Sequence, residues 1–177
     1  HRDVSPSNII VTYSGHVKVL DFGIAKAVAL SQASRSSSLK GKVAYMSPEQ
    51  CKGGHIDRRS DIFALGLVMQ EMLTNRPVFG ELAHVEALHA VAAGKVTPIE
   101  EHWPECPADL KAILAKALQP DPNHRYATAR ELQRDIERFA HAERLMLSST
   151  ELAEFLESVF GTKRLPWLDV ETELEER

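Results

Sequence analysis

Three oxygen-bearing side chains near the amino end, Asp3, Asn8 and Asp21, have the types and spacing for phosphate chemistry. Asn8 follows Asp3 at five positions, and the apolar run Ile9-Ile10-Val11 behind it reads as a strand fed by a loop. Val17-Lys18-Val19-Leu20 alternates as a second strand, with Tyr13-Ser14-Gly15 as the turn, and Asp21 comes directly after it. A hairpin of this kind brings the three groups to one of its ends. One carboxylate and one amide oxygen suit Mg²⁺, which prefers hard oxygen ligands and completes its shell with water and substrate phosphates. A second carboxylate can orient an attacking hydroxyl, and phosphoryl transfer asks little more covalent help of a protein. Taken singly, Asp and Asn beside strands are also common turn formers.

The run His1-Arg2-Asp3-Val4-Ser5-Pro6-Ser7-Asn8 resembles the catalytic loop of protein kinases, H-R-D-x-x-x-x-N, and Asp21-Phe22-Gly23 resembles their D-F-G. Three further landmarks follow in order: Ser47-Pro48-Glu49 for A-P-E, Asp61-x-Phe63-x-x-Gly66 for D-x-W-x-x-G, and Arg125. The resemblance covers about residues 1 to 140 and, through Tyr45-Met46-Ser47-Pro48-Glu49-Gln50, looks like bacterial relatives of eukaryotic Ser/Thr kinases. It implies Asp3 as catalytic base, Asn8 and Asp21 as Mg²⁺ ligands, Ile10 under the adenine of ATP, and His1 and Phe22 as internal packing supports. It further implies that Asp61 bonds the backbone of the catalytic loop and that Arg125 pairs with Glu49. Small-molecule kinases share H-x-D and the asparagine but lack the D-F-G and S-P-E framing.

Two positions depart from the family pattern. Ser5 stands where Ser/Thr kinases usually carry lysine, and Lys42, after Gly41, stands where they carry threonine. A Lys/Thr pair has become a Ser/Lys pair, so Lys42 is expected to supply the positive charge from the other side; the alternative is a surface lysine and a weakened or inactive enzyme. Between Gly23 and Ser47 the chain turns small and polar, with Ser31, Ser34, Ser36, Ser37 and Ser38 crowded together. Such a stretch resembles an activation loop. A phosphate on one of these serines would pair with Arg2, because guanidinium matches phosphate oxygens bidentately; the alternative is a solvated, unmodified serine loop.

The rest of the chain must position these groups. Ser60 is expected to cap a helix through Asp61–Leu73 that is apolar nearly all round and hence central and buried. Glu71 on it is expected to be solvated, or else to meet a basic residue of a substrate. A moderate helix signal runs from Glu81 to Ala93, stopped by Gly94. Another opens at Cys106-Pro107, with Leu110, Ile113, Leu114, Ala117 and Leu118 on one face. Thr128-x-x-Glu131 and Ser148-x-x-Glu151 are capping boxes for two more, the last carrying Leu152, Phe155, Leu156 and Val159 and closing at Gly161.

The 177 residues are 44% hydrophobic and 26% charged, ordinary for a globular domain. Five of the 25 acids lie in 169–177 against one of the 21 bases, which leaves a body balanced at 20 and 20 with nothing to suggest a nucleic-acid partner. Cys51 and Cys106 form no metal spacing or disulfide framework, so a reducing, cytoplasmic setting is expected. The longest apolar run, Ile62 to Met69, is too short for a membrane segment, and no signal-peptide pattern opens the chain.

The expected architecture is mostly α (α+β): a kinase-like C-lobe over 1–140 with one small hairpin, a helical extension over 141–168, and a disordered acidic tail over 169–177. No glycine-rich phosphate loop, V-A-I-K lysine or partnering helix glutamate precedes His1, so the N-lobe is expected as a missing partner, beside a protein substrate. The chain alone is therefore expected to be an inactive, association-prone fragment of a Ser/Thr kinase that uses ATP and Mg²⁺. The alternative is a pseudokinase or scaffold built on the same fold.

Overall fold

The computed structural model describes residues 1–22, 43–79 and 82–162. Gly23, Lys42 and the serines at 31, 34, 36, 37 and 38 lie outside them, as does the tail from residue 163.

The described chain is mostly helical with one two-stranded sheet, β1 (Ile9–Val11) paired with β2 (Val17–Val19). The hairpin closes where expected. Thr12 N–H donates to His16 O at 2.9 Å, Gly15 N–H donates to Thr12 O at 2.9 Å, and Gly15 takes a positive φ of 73° that suits glycine. A 3-10 turn, Pro6–Asn8, delivers the chain into β1.

Six helices follow: α1 (Pro48–Lys52), α2 (Arg58–Thr74), α3 (His84–Ala92), α4 (Ala108–Ala117), α5 (Ala129–Ala142) and α6 (Ser149–Phe160). The central one is α2, buried at Ile62, Phe63, Ala64, Gly66, Leu67 and Val68, so several of its faces are covered. Phe63 and Leu67 join Val43, Met46, Phe79 and Val91 in one apolar cluster, while Ile62 joins Ile113, Ala117, Tyr126 and Leu132 in another. Each Val, Leu, Ile, Phe or Met among them contributes about 1.5–3 kcal/mol by its burial. The apolar face expected for α4 is buried as read, at Leu110, Ile113, Leu114, Ala117 and Leu118.

The helix starts differ from expectation in two cases. Asp57, not Ser60, caps α2, its carboxylate accepting from Arg59 N–H at 2.8 Å. The Arg59 guanidinium and backbone also bring the Asp57 carboxyl down to about 2. Ser60 lies inside the first turn, where its hydroxyl donates to Glu49 at 2.6 Å. α3 begins at His84 rather than Glu81, which is outside the described residues. Thr128 and Ser148 cap α5 and α6 by accepting from Glu131 N–H and Glu151 N–H.

Gly66 is where α2 meets α4. A β-carbon there would sit 3.0 Å from two atoms of Leu118 and 3.2 Å from Ala117 Cβ. Gly66→Val should therefore cost about 1–3 kcal/mol by overpacking, read as a lower urea midpoint. Gly66→Val with Leu118→Ala should recover part of that loss.

The chain divides into two compact units, His1–Ile9 with Val19–Leu145, and Ile10–Lys18 with the chain from Met146. The tip of the hairpin thus shares its unit with α6, a pairing that sequence alone did not suggest.

Candidate active site

Asp61, in the first turn of α2, holds the first residues of the chain. Its Oδ2 accepts from the His1 backbone nitrogen and its Oδ1 from Arg2 N–H, both at 2.7 Å. Bonds to an ionised acceptor are the strong kind. Arg2 needs them, since its φ of 66° is a left-handed conformation that a long side chain seldom adopts. From the other side Gln50 Nε2 donates to Arg2 O at 3.1 Å.

Gln50 is aimed by a capping box. Ser47 N–H donates to Gln50 Oε1 at 2.8 Å, and Gln50 N–H donates to Ser47 Oγ at 3.4 Å. The sequence carries the signal for this box in Ser47-Pro48-Glu49-Gln50 as S-x-x-Q. Thus α1 and α2 fix the backbone of residues 1 and 2 between them.

His1 ties this loop to the end of β2. Its Nε2 donates to Leu20 O at 2.9 Å, and its ring lies 4.9 Å from that of Phe22. Phe22 keeps 71% of its surface exposed, so within this chain it stacks on His1 without being the internal support expected of it.

Asn8 is buried and held at three points. Its N–H donates to Ser5 O at 3.0 Å, its Nδ2 donates to Asp3 O at 2.8 Å, and its carbonyl accepts from Leu20 N–H at 2.8 Å. The side-chain bond fixes the amide plane beside Asp3, and the carbonyl bond brings Leu20, and with it Asp21, alongside Asn8. Asp21 is exposed and takes a φ of 55°, a conformation that aspartate tolerates better than most residues. Ser5 is buried, its hydroxyl 3.0 Å from Ser7 Oγ, and Ile10 is a half-exposed residue of β1.

The donor set fits Mg²⁺ with nucleotide. Asn8 turns its amide nitrogen to Asp3 O, which leaves its oxygen as the hard donor, and the Asp21 carboxylate is exposed. Among the described residues no group of three His, Cys, Asp or Glu could hold a metal. An ion here would rely on phosphate oxygens and water for the rest of its shell, as Mg²⁺ does. A cavity of about 380 Å³ beside Gln70, Val96, Ile99 and Leu114 involves none of these residues.

Glu49 and Arg125 pair as expected. Arg125 Nη1 and Nη2 donate to the two Glu49 oxygens at 2.8 Å each. Burial pushes the Glu49 carboxyl up, but the bonds from Arg125 and Ser60 outweigh it and hold the carboxyl below its ordinary range. Glu71 is partly exposed, and the Tyr45 hydroxyl donates to it at 2.5 Å. Burial, and then Glu71 itself, push the Tyr45 hydroxyl well above its ordinary value.

The protein kinase domain family matches residues 1–136. The chain is 43% identical to a tyrosine-protein kinase of Myxococcus xanthus, MasK, over 93% of this chain and 25% of that protein. It is 43% identical to the serine/threonine-protein kinase PrkC of Bacillus subtilis over 82% of this chain and 22% of the relative. It is 37% identical to the serine/threonine-protein kinase PknB of Mycobacterium tuberculosis over 96% of this chain and 28% of the relative. The chain thus spans about a quarter of the length of these relatives.

Proposed function

Because the chain belongs to the protein kinase family, we propose that it is the catalytic-loop half of a Ser/Thr protein kinase that works only together with a nucleotide-binding N-lobe. The observation that carries the reading is the double tether of Asn8, by its side chain to Asp3 and by its carbonyl to Leu20. MgATP supplies the transferable γ-phosphoryl group and the charge neutralisation that this reaction needs. Asp3 orients the acceptor hydroxyl and takes its proton as the oxygen bonds to the γ-phosphorus and the bond to the β-phosphate oxygen breaks. The oxygens of Asn8 and Asp21 hold Mg²⁺, and Ile10 supports the adenine. Lys42 supplies the cation that Ser5 does not, and a phosphorylated loop serine pairs with Arg2. The setting is the cytoplasm, where ATP is available and Cys51 and Cys106, both free thiols, stay reduced.

Among the described residues no helix is long and apolar enough to cross a membrane. The substrate is a protein, and serine or threonine is its acceptor residue. MasK carries the name of a tyrosine kinase, so phosphoamino-acid analysis is the direct check on acceptor class.

The chain of 177 residues, purified alone and given radiolabelled ATP, Mg²⁺ and a protein substrate, is expected to incorporate no phosphate, because half of the positioning parts are elsewhere. The full-length protein should incorporate it. Transfer by the chain alone contradicts the requirement for a second lobe. Binding of MgATP without transfer by the full-length protein favours a pseudokinase.

A further inference from the structure

Gly15 is buried, which is unusual for the tip of a two-stranded hairpin. A β-carbon on it would lie 1.8 Å from Ser149 O and 3.0 Å from Ala153 N, so the first turn of α6 rests directly on the turn backbone. Farther along, Val11 and Tyr13 of the hairpin and Leu156 and Phe160 of α6 line one space of about 190 Å³. The helix therefore runs along the hairpin, with its start at the turn and its end beside β1.

The contact has a physical reason. Two strands of three residues are marginal in water by themselves and need a covering element. Val17 and Tyr13 still keep half or more of their surface exposed, and within this unit α6 is the element that covers the ribbon. Asn8 immediately precedes β1, and Asp21 follows β2 after Leu20 alone. Any looseness in the ribbon passes along these strands into the spacing of the two residues.

We propose that α6 is a clamp on the hairpin, seated at Gly15, and that residues 146–162 act as positioning residues for the Mg²⁺ ligands Asn8 and Asp21. The clamp is independent of the kinase reading; its effect on Mg²⁺ rests on that reading. Leu156→Asp with Phe160→Asp removes the apolar contact without touching the turn, and Gly15→Ala attacks the seat.

In full-length protein, both variants should raise hydrogen exchange of the β1 and β2 amides about tenfold or more, with α2 and α4 unchanged. The Mg²⁺ concentration for half-maximal phosphate transfer should rise about tenfold, as when groups that orient metal ligands are lost. The KM for protein substrate should stay within about twofold, a split that general destabilisation would not produce. Unchanged exchange in the hairpin overturns the clamp. Faster exchange with an unchanged Mg²⁺ requirement overturns its positioning role. A wild type that shows neither Mg²⁺-dependent transfer nor nucleotide binding refutes the kinase reading and with it the positioning role, while hydrogen exchange still decides the clamp.

Discussion

Asp3→Asn in the full-length protein is expected to lower phosphate transfer by about 10²- to 10⁴-fold at saturating MgATP, the range for loss of a positioned proton acceptor. The affinity for MgATP should change little, because the nucleotide is held by other groups. Asparagine keeps the size of the side chain and removes only its charge and basicity. The backbone around it should also survive, since Asp3 O accepts from Asn8 through the main chain and not through the substituted group. Asp21→Asn is expected to behave differently. It removes the one carboxylate assigned to the metal, so the Mg²⁺ requirement rises and activity is partly recovered by adding metal. Two carboxylates 18 positions apart thus separate by kinetics into a proton acceptor and a metal ligand. If Asp3→Asn retains wild-type turnover, Asp3 is not the base.

Arg125→Ala is expected to have the largest effect on stability. The side chain is fully buried and uses all five N–H groups. It donates to both oxygens of Glu49 and to the carbonyls of Gln119, Arg59 and Pro120, at 2.6 to 3.0 Å. Its guanidinium also lies 4.8 Å from the Phe63 ring, at the centre of the apolar cluster around α2. Truncation leaves the largely covered Glu49 carboxylate with Ser60 as its remaining side-chain donor, close to the situation in which breaking a buried pair costs about 3–5 kcal/mol. For a chain of this size that is a fall in Tm of roughly 10 °C. Arg125→Lys should recover only part of the loss, because three donors cannot replace a planar fork.

The same pair sets an acid limit. The folded state holds the Glu49 carboxyl below its ordinary value, so its contribution to stability is complete above the unfolded value and disappears as pH falls through the folded one. Arg125→Ala should reduce that part of the acid-side loss, because burial, which raises the carboxyl, would then be opposed only by the Ser60 and backbone hydrogen bonds. Unfolding midpoints of the two proteins between neutral and strongly acidic pH should therefore converge as pH falls.

What could be read from sequence was what local periodicity and local chemistry decide. The strands Ile9–Val11 and Val17–Val19 follow from short apolar runs around a glycine turn, and the α4 face follows from its three-and-four spacing. Thr128 and Ser148 were legible as caps because nothing distant competes for them. Ser60 misled for the opposite reason. Asp57 and Ser60 are both good caps within one short run, and Ser60 is claimed by Glu49, eleven residues upstream. The Tyr45 partner of Glu71 had no local signal either, since it lies 26 residues distant. The contact of Gly15 with Ser149 joins the two ends of the chain, and neither sequence window contains a trace of it.

The site itself was legible as motifs and not as bonds. That Asp61 would reach the loop backbone followed from a resemblance, whereas the grip of Gln50 on Arg2 O did not. The left-handed backbone at Arg2 had no signal, and at Asp21 only the weak tolerance of aspartate for a positive φ, because neither residue type announces it as glycine does.

The central claim is that Asn8 and Asp21 together hold a magnesium-bound nucleotide. A crystal structure of the full-length protein with Mg²⁺ and a non-hydrolysable ATP analogue tests it most directly. The side-chain oxygens of both residues should lie about 2.0–2.1 Å from one or two metal ions shared with the phosphates. Nucleotide bound with the metal on other side chains, or with Asp21 turned away from the phosphates, would contradict it.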